Sequence, residues 1–122
     1  MAKILDGIRI LDFTQGHTGS YATMLLAAFG AEVIKIEDPE NGGDILRSSF
    51  PKTDEGSAYH AYMNRGKRSI CIDRNTEEGQ AIIMKLIEKA DVVCDSFTAG
   101  EMERCNIDYA RACEVNPGII YA

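Results

Sequence analysis

The stretch IRILDFTQGHTGSYATMLLAAFGAEVIKI, residues 8–36, decides the fold of this chain. It opens with an apolar segment that is typical of a short strand and continues into a polar loop, 14–19, which contains glycine. Apolar side chains then recur every three to four residues, which predicts a helix with Ser20 as its N-cap and Gly30 as its stop. A second strand follows at 32–36. Strand, loop, helix and strand in this order predict a βαβ unit and therefore a parallel sheet.

The rest of the chain keeps this alternation of helices and strands. It begins with a long polar connection, 38–57, of a kind that is usually functional or covered by a partner. The expected elements are a helix at 57–64, strands at 69–73, 91–95 and 119–121, a helix capped by Thr76, and short helices at 100–105 and 109–115. This pattern predicts an α/β fold with a mostly parallel sheet. The last strand lacks a following loop and helix, so we expect residues 1–122 to be an incomplete domain.

Composition and charge narrow the classes of function. The chain has 122 residues, of which 45% are apolar and 26% charged, and these values predict an ordered domain with a real core. The net charge of −6 argues against nucleic acid as a partner, because phosphate contacts need a dense basic face. No run approaches the roughly 18 apolar residues of a membrane span. The charged start, Met1 to Asp6, does not have the pattern of a signal peptide.

The cysteines and histidines predict neither a disulfide framework nor a metal site. Cys71, Cys94, Cys105 and Cys113 include no C-x-x-C pair, and two histidines without a spaced carboxylate pattern do not form a metal-binding motif. Cys71 and Cys94 fall in expected strands, so we expect buried, reduced thiols that pack as small apolar residues. Reduced thiols indicate a cytoplasmic location.

Ligands of a parallel α/β sheet bind at the carboxyl ends of its strands. The candidate loops are 14–19, 38–43, 73–75 and 95–100. The first of them leads into a helix, whose free N–H groups and dipole attract phosphate, so a ligand that contains a nucleotide is reasonable. The loop is neither G-x-G-x-x-G nor a P-loop, and its glycines alone are a weak signal.

Individual polar residues leave several functions open. Glu37 ends the second strand about 20 residues after the first loop, where a dinucleotide-binding fold uses an acidic residue to hold a ribose. The alternative is that Glu37 and Asp38 are solvent-exposed residues without a ligand. His17 is a candidate base, phosphate donor or surface residue, whereas a structural role is favoured for His60. Arg104 is placed to hold a phosphate or to pair with Glu101 three residues earlier.

Several segments, taken in order, resemble the class III CoA-transferases, a family that includes formyl-CoA transferase, carnitine CoA-transferase and the acyl-CoA racemases. The segments are Leu5 to Thr14 (LDGIRILDFT), 24–27 (MLLA), 29–37 (FGAEVIKIE), Gly43-Asp44 with Arg47, 64–70 (NRGKRSI), 90–93 (ADVV), 102–104 (MER) and Asn116-Pro117. Each segment alone is modest, but the ordered set is specific and covers nearly the whole chain.

The resemblance implies a Rossmann-like large domain in subunits that interlock as a dimer. Such enzymes move CoA from an acyl-CoA thioester to a free carboxylic acid, through an aspartate that becomes an aspartyl-CoA thioester. No residue of this chain matches that aspartate, so we expect the chain alone to be inactive. We expect it to form a homo-oligomer or to bind a complementing chain.

Eleven residues match CoA-contacting positions of the family or stand next to them. They are His17 and Thr18 in the first loop, Asp38 after the second strand, Ile72, Asp73, Arg74 and Asn75 after the third, Ser96, Phe97 and Thr98 after the fourth, and Arg104. Three departures matter: Asp38 replaces a common cation, Asp95-Ser96-Phe97 replaces the usual Glu-Asn-Phe, and a lysine near Asn75 is missing. We expect Asp38 to repel a phosphate-rich ligand.

Two rival functions stay open. The first is a module that binds a nicotinamide nucleotide, for which Glu37 is the main argument. The second is a non-catalytic subunit that only assembles with other chains.

Overall fold

The computed structural model describes every residue from Met1 to Ala122. Its strands are β1 (Arg9–Asp12), β2 (Glu32–Glu37), β3 (Lys52–Thr53), β4 (Gly56–Ser57), β5 (Arg68–Cys71), β6 (Val92–Cys94) and β7 (Ile120–Tyr121). Its helices are α1 (Thr18–Ala28), α2 (Ala58–Met63), α3 (Glu77–Ile87), α4 (Glu101–Arg104) and α5 (Tyr109–Val115), with a 3-10 helix at Ile45–Ser48. The two longest helices have 11 residues each, too few to span the hydrocarbon of a bilayer.

Five strands form one parallel sheet in the order β5-β2-β1-β6-β7. The chain moves outward from β1 through β2 to β5, and then returns to the other side of β1 with β6 and β7. The strand order therefore reverses between β1 and β6, and the loops that follow these two strands border the crevice where such sheets bind ligands. The predicted α/β class with a parallel sheet is confirmed.

The two faces of the sheet pack separate hydrophobic cores. Leu11 of β1 belongs to the larger core, where Ile83 and Ile87 of α3 are completely buried. Its neighbour Ile10 points to the opposite face and packs with Ala31 and Val33. Successive side chains of a strand alternate between faces, so the burial of both Ile10 and Leu11 shows that β1 is a central strand covered on both sides.

Helix starts were predicted with mixed success. Thr76 caps α3 as expected, and its Oγ accepts a hydrogen bond from the backbone N–H of Gly79 at 3.0 Å. A Cβ at Gly79 would collide with the carbonyl oxygen of Asp73, so only glycine fits there. The prediction of Ser20 as the N-cap of α1 is wrong, because the helix already starts at Thr18 with His17 in the cap position.

The connection 38–57 contains the 3-10 helix and the β3–β4 hairpin. Two expectations about packing need correction. Of the apolar residues at helical spacing, Met24 is buried, whereas Tyr21 and Leu25 on α1 and Phe29 at its C-cap are exposed. Cys71 is also exposed, since β5 is an edge strand with nothing packed over it.

Candidate functional site

The loops that follow β1, β2, β5 and β6 meet at one edge of the sheet. The backbone N–H of Gln15, after β1, donates to Ser96 Oγ, after β6, at 2.9 Å. Arg74, after β5, places its guanidinium 3.9 Å from the ring centroid of Phe97 and its Nε 3.9 Å from Asp38 Oδ2. Four of these residues, Gln15, Asp38, Arg74 and Phe97, line a small cavity together with Phe13, Ile36, Glu37 and Ile72. The parallel topology therefore gathers side chains from four separate loops, as predicted.

Arg74 is the central side chain of this cleft. Only 11% of it is exposed, and its Nη2 lies 3.3 Å from Glu101 Oε1. Its Nε and Nη1 are buried without any hydrogen-bond partner. A guanidinium carries five N–H donors, and leaving buried donors unpaired costs free energy. An oxygen-rich ligand that entered the cleft would supply the missing acceptors.

Asp38 is buried beside this guanidinium, and the solvated position considered from the sequence is wrong. Its carboxylate accepts hydrogen bonds from the backbone N–H of Glu40 at 2.9 Å and from Asn41 Nδ2 at 3.3 Å. The carboxylate thus orders its own loop, and Arg74 offsets its charge. The repulsion of phosphate expected from the sequence is correspondingly weaker.

Glu37 is fully committed to neighbouring protein groups. Arg47 donates to both carboxylate oxygens at 2.7 Å, and Ser69 Oγ and the backbone N–H of Asp44 donate at 2.6 and 2.8 Å. Burial opposes ionisation, but these hydrogen bonds outweigh it and lower the pKa of Glu37 to about 2. No acceptor is left for a ribose hydroxyl, so the nicotinamide hypothesis loses its main argument.

Two buried ion pairs contact the start of the first loop at Thr14. Lys35 Nζ lies 2.6 Å from Asp44 Oδ2 and donates to the carbonyl oxygen of Thr14 at 2.7 Å. Lys67 Nζ lies 2.8 Å from Asp12 Oδ2, and Asp12 also accepts from the backbone N–H of Thr14 at 3.0 Å. Burial lowers the pKa of Lys67 despite its partner. Removing either partner of such a pair would leave the other charge buried and unpaired.

His17 and Thr18 stand at the start of α1, and both are exposed. The Nδ1 atom of His17 lies 2.6 Å from the phenolic oxygen of Tyr59 in α2. No hydrogen bond connects either residue to Arg74 or Ser96, so they form a separate part of the same sheet edge. Tyr59 was not among the predicted site residues.

The remaining predicted residues take several positions around the cleft. Ile72 is buried in the larger core, and Asp73 accepts a hydrogen bond from the backbone N–H of Asn75 at 2.9 Å. Thr98 donates to Glu101 from its backbone and its hydroxyl, each at 3.2 Å. Glu101 therefore pairs with Arg74 and Thr98, and the predicted alternative of a Glu101–Arg104 pair is wrong. Arg104 is exposed and makes no ion pair, so its guanidinium is free for a ligand.

A larger hollow adjoins the first loop. It has a volume of about 510 Å³ and lies between Gln15 and the connection that carries Arg47 and Lys52. Ligand pockets commonly measure about 300–1,000 Å³. The hollow and the Arg74 cleft share Gln15 in their walls.

Few of the supporting residues could be recognised from the sequence. Lys35 was the one detectable signal, because a lysine in the middle of an apolar central strand needs a buried partner. Asp44, Lys67 and Tyr59 reach the site from loops and short helices, and no local pattern predicts their contacts.

Comparison with known proteins identifies the family. Residues 5–122 match the family model described as CoA-transferase family III. The chain belongs to CoA-transferase family III. The resemblance noted in the sequence is thereby confirmed over nearly the whole chain.

Curated members of CoA-transferase family III share 40–46% of aligned residues with this chain. A succinyl-CoA:mesaconate CoA-transferase of Haloarcula hispanica is 46% identical over 97% of this chain and 31% of its own length. A formyl-CoA:oxalate CoA-transferase of Rhodopseudomonas palustris is 41% identical over 100% of this chain and 29% of its own length. The chain thus spans about a third of the length of the curated relatives it matches.

Solved structures show the same relationship. A hypothetical protein of Mycobacterium tuberculosis superposes with a TM-score of 0.89 at 39% identity, covering 98% of this chain and 32% of its own. A CAIB/BAIF family protein from Brucella suis gives a TM-score of 0.91 at 35% identity, covering 99% and 33%. The fold of this chain is therefore one that recurs within larger proteins.

Proposed function

We propose that this chain is the amino-terminal, CoA-binding part of an enzyme that transfers CoA from an acyl-CoA thioester to a carboxylic acid. The observation that carries the proposal is Arg74, a buried guanidinium with two unpaired donors at the point where four strand-end loops meet. CoA is a nucleotide with several phosphate groups, and its oxygens match those donors. The family membership and the names of the relatives support the same ligand.

The proposed binding mode divides the ligand between two groups of residues. Arg74 and the ring of Phe97, flanked by Ile72, Asp73 and Asn75, would hold the adenosine and its phosphates, with Arg104 as a second, solvent-exposed cation. Ser96 and Thr98 would line the middle of the ligand. His17 and Thr18 would contact the end that carries the acyl group, because they lie at the start of α1 on the other side of Gln15.

The transfer itself would use an aspartate that no residue of this chain matches. Its carboxylate attacks the thioester carbonyl, the C–S bond breaks, and the CoA thiolate leaves a mixed anhydride behind. The thiolate then attacks the aspartyl carbonyl and releases the first acid, after which the acceptor acid takes CoA by the reverse steps. We therefore expect no CoA transfer by this chain alone, and turnover above background would refute the assignment of the nucleophile.

Calorimetric titration tests the binding proposal. We expect CoA to bind more tightly than dephospho-CoA, and NAD to bind least, because Glu37 is not available for a ribose. The substitution Arg74→Met should weaken CoA binding about 10- to 100-fold, the value of one or two hydrogen bonds to a charged group. Arg104→Gln should reduce mainly the preference for CoA over dephospho-CoA.

Arg65→Gln is the matched control, since Arg65 is exposed and stacks 4.4 Å over Tyr62, away from the cleft. It removes the same charge and should leave CoA affinity within about two-fold, the scale of a surface charge. If NAD bound tightly and CoA did not bind, the result would favour a module that binds a nicotinamide nucleotide. An equal loss of CoA affinity in the Arg65 and Arg74 variants would show that CoA binding depends only on net charge.

We further propose that the chain acts with a partner chain, either a second copy or a complementing polypeptide. The support is α1, which contains no charged residue and exposes Tyr21 and Leu25, with Phe29 exposed at its C-cap. All four cysteines are free thiols, which fits a reducing cytoplasm. Light scattering after size-exclusion chromatography measures the oligomeric state. A parent chain that is already monomeric, and that Leu25→Glu leaves unchanged, would argue against a role of α1 in assembly.

A further inference from the structure

The ring of His17 has a single hydrogen-bond partner in the protein. Its Nδ1 lies 2.6 Å from the phenolic oxygen of Tyr59, and the two ring centroids are 5.1 Å apart at an angle of 45°. Tyr59 is half-buried on α2, and its hydroxyl makes no other hydrogen bond. His17 is exposed, and its Nε2 makes no hydrogen bond to the protein.

The length of this hydrogen bond places the shared proton. Each arrangement leaves one donor to solvent, the Tyr59 hydroxyl in one and Nε2–H in the other, so the count of satisfied donors does not choose between them. N–H···O hydrogen bonds are usually about 2.7–3.2 Å long, so 2.6 Å is short for Nδ1–H as the donor and fits a hydroxyl donor. A phenol O–H is also a stronger donor than a neutral imidazole N–H, and an imidazole nitrogen is a stronger acceptor than a phenolic oxygen. The hydroxyl therefore donates to Nδ1, and the proton of the neutral ring lies on Nε2.

We propose that Tyr59 is a positioning residue that fixes neutral His17 as the Nε2–H tautomer, so that His17 presents a hydrogen-bond donor and not a base. The group it would meet is an oxygen acceptor of the ligand, either a carbonyl or an anionic oxygen. In thioester chemistry negative charge develops on the carbonyl oxygen, and a pre-oriented N–H stabilises it. The ligand part of this inference rests on the proposed CoA-transfer function, whereas the tautomer does not.

Nitrogen NMR of the ring tests the tautomer directly in this chain. His17 and His60 are the only histidines, and the set of signals missing from His17→Gln belongs to His17. At about pH 8.5, well above the ordinary histidine pKa, long-range ¹H–¹⁵N spectra distinguish protonated from unprotonated ring nitrogens. We expect His17 to show a protonated Nε2 and an unprotonated Nδ1, held as one species.

Two tyrosine variants provide the comparison. Tyr59→Phe should release the ring and move the His17 nitrogen shifts toward those of a free, interconverting imidazole. Tyr62→Phe removes the same hydroxyl from the same helix at an exposed site and should leave them unchanged. A protonated Nδ1 in the unsubstituted chain, or identical shifts in the Tyr59 variant, would overturn the proposal.

CoA affinity tests the donor role. Tyr59→Phe should weaken CoA binding about 2- to 10-fold, the value of one oriented hydrogen bond. His17→Gln supplies an amide donor that does not depend on Tyr59, so adding Tyr59→Phe to it should cause no further loss. Unchanged affinity in Tyr59→Phe would refute the donor role. If CoA failed to bind the unsubstituted chain at all, the proposed function would fall while the NMR result still decided the tautomer.

Discussion

Replacing Glu37 by glutamine removes one charge from the edge of the sheet with almost no change in size. The carboxylate accepts four hydrogen bonds, two of them from Arg47, and they lower its pKa to about 2 from an ordinary 4.5. That difference corresponds to about 3 kcal/mol of folding stability at neutral pH. Arg47 is 46% exposed, so solvent screening reduces the expected loss in Glu37→Gln to about 2 kcal/mol.

The pH dependence of this loss gives the prediction its direction. A carboxylate whose pKa is lower in the folded state stabilises the fold above its unfolded pKa, and the stabilisation disappears as the pH falls to the folded pKa. The difference in unfolding free energy between the parent chain and Glu37→Gln should therefore be constant above about pH 5. It should shrink progressively as the pH falls from 4.5 to about 2. Urea unfolding followed by circular dichroism at a series of pH values measures it.

Glu40→Gln is the matched control, because Glu40 is exposed and its carboxylate makes no hydrogen bond. It should change the unfolding free energy by less than about 0.5 kcal/mol at every pH. A Glu37→Gln loss that stays constant down to about pH 2, or one no larger than that of the control, would refute the account of Glu37.

Three further predictions address other buried groups. Lys67→Met should destabilise the chain by about 3–5 kcal/mol, because it leaves Asp12 buried and charged without its partner. Adding Asp12→Asn should recover part of this loss. Strictly additive losses of the two variants would contradict a coupled pair. Burial lowers the pKa of His60 in the folded chain, so the unfolded chain binds a proton at higher pH than the folded chain does. The free energy of unfolding should therefore decline as the pH drops below about 6.5. The same decline in a His60→Gln variant would exclude His60 as its cause. Burial also raises the pKa of Cys94 to about 11, so iodoacetamide at about pH 8 should modify exposed Cys71 and spare Cys94, and early mass-spectrometric labelling of Cys94 would count against this.

Local sequence pattern predicted the elements well wherever one element carried its own signal. The helix α5 was expected at 109–115 and lies there, and Thr76 caps α3 as expected. The pattern failed where the outcome depended on a neighbour. Tyr21 and Leu25 have helical spacing, but nothing in this chain packs over them, and Cys71 has strand character but belongs to an edge strand.

The position of the candidate site was predictable for a topological reason. A parallel sheet brings all strand carboxyl ends to one edge, so the loops containing Ser96 and Arg74 had to approach the first loop. The partners of each charge were not predictable, because they depend on distances of a few ångströms between segments far apart in sequence. Glu37 shows this best: its position suggested a ribose ligand, and its actual partner is Arg47.

The same dependence on partners changes what Asp38 means for an anionic ligand. Read alone, an acidic residue in place of a cation predicts repulsion. In the folded chain Asp38 lies 3.9 Å from Arg74 Nε, beyond hydrogen-bonding distance, while Glu101 holds Nη2 on the other side. The two carboxylates hold the guanidinium in place without occupying Nε or Nη1. Nε and Nη1 therefore keep their N–H groups uncommitted, and Asp38 orients the guanidinium without using its donors.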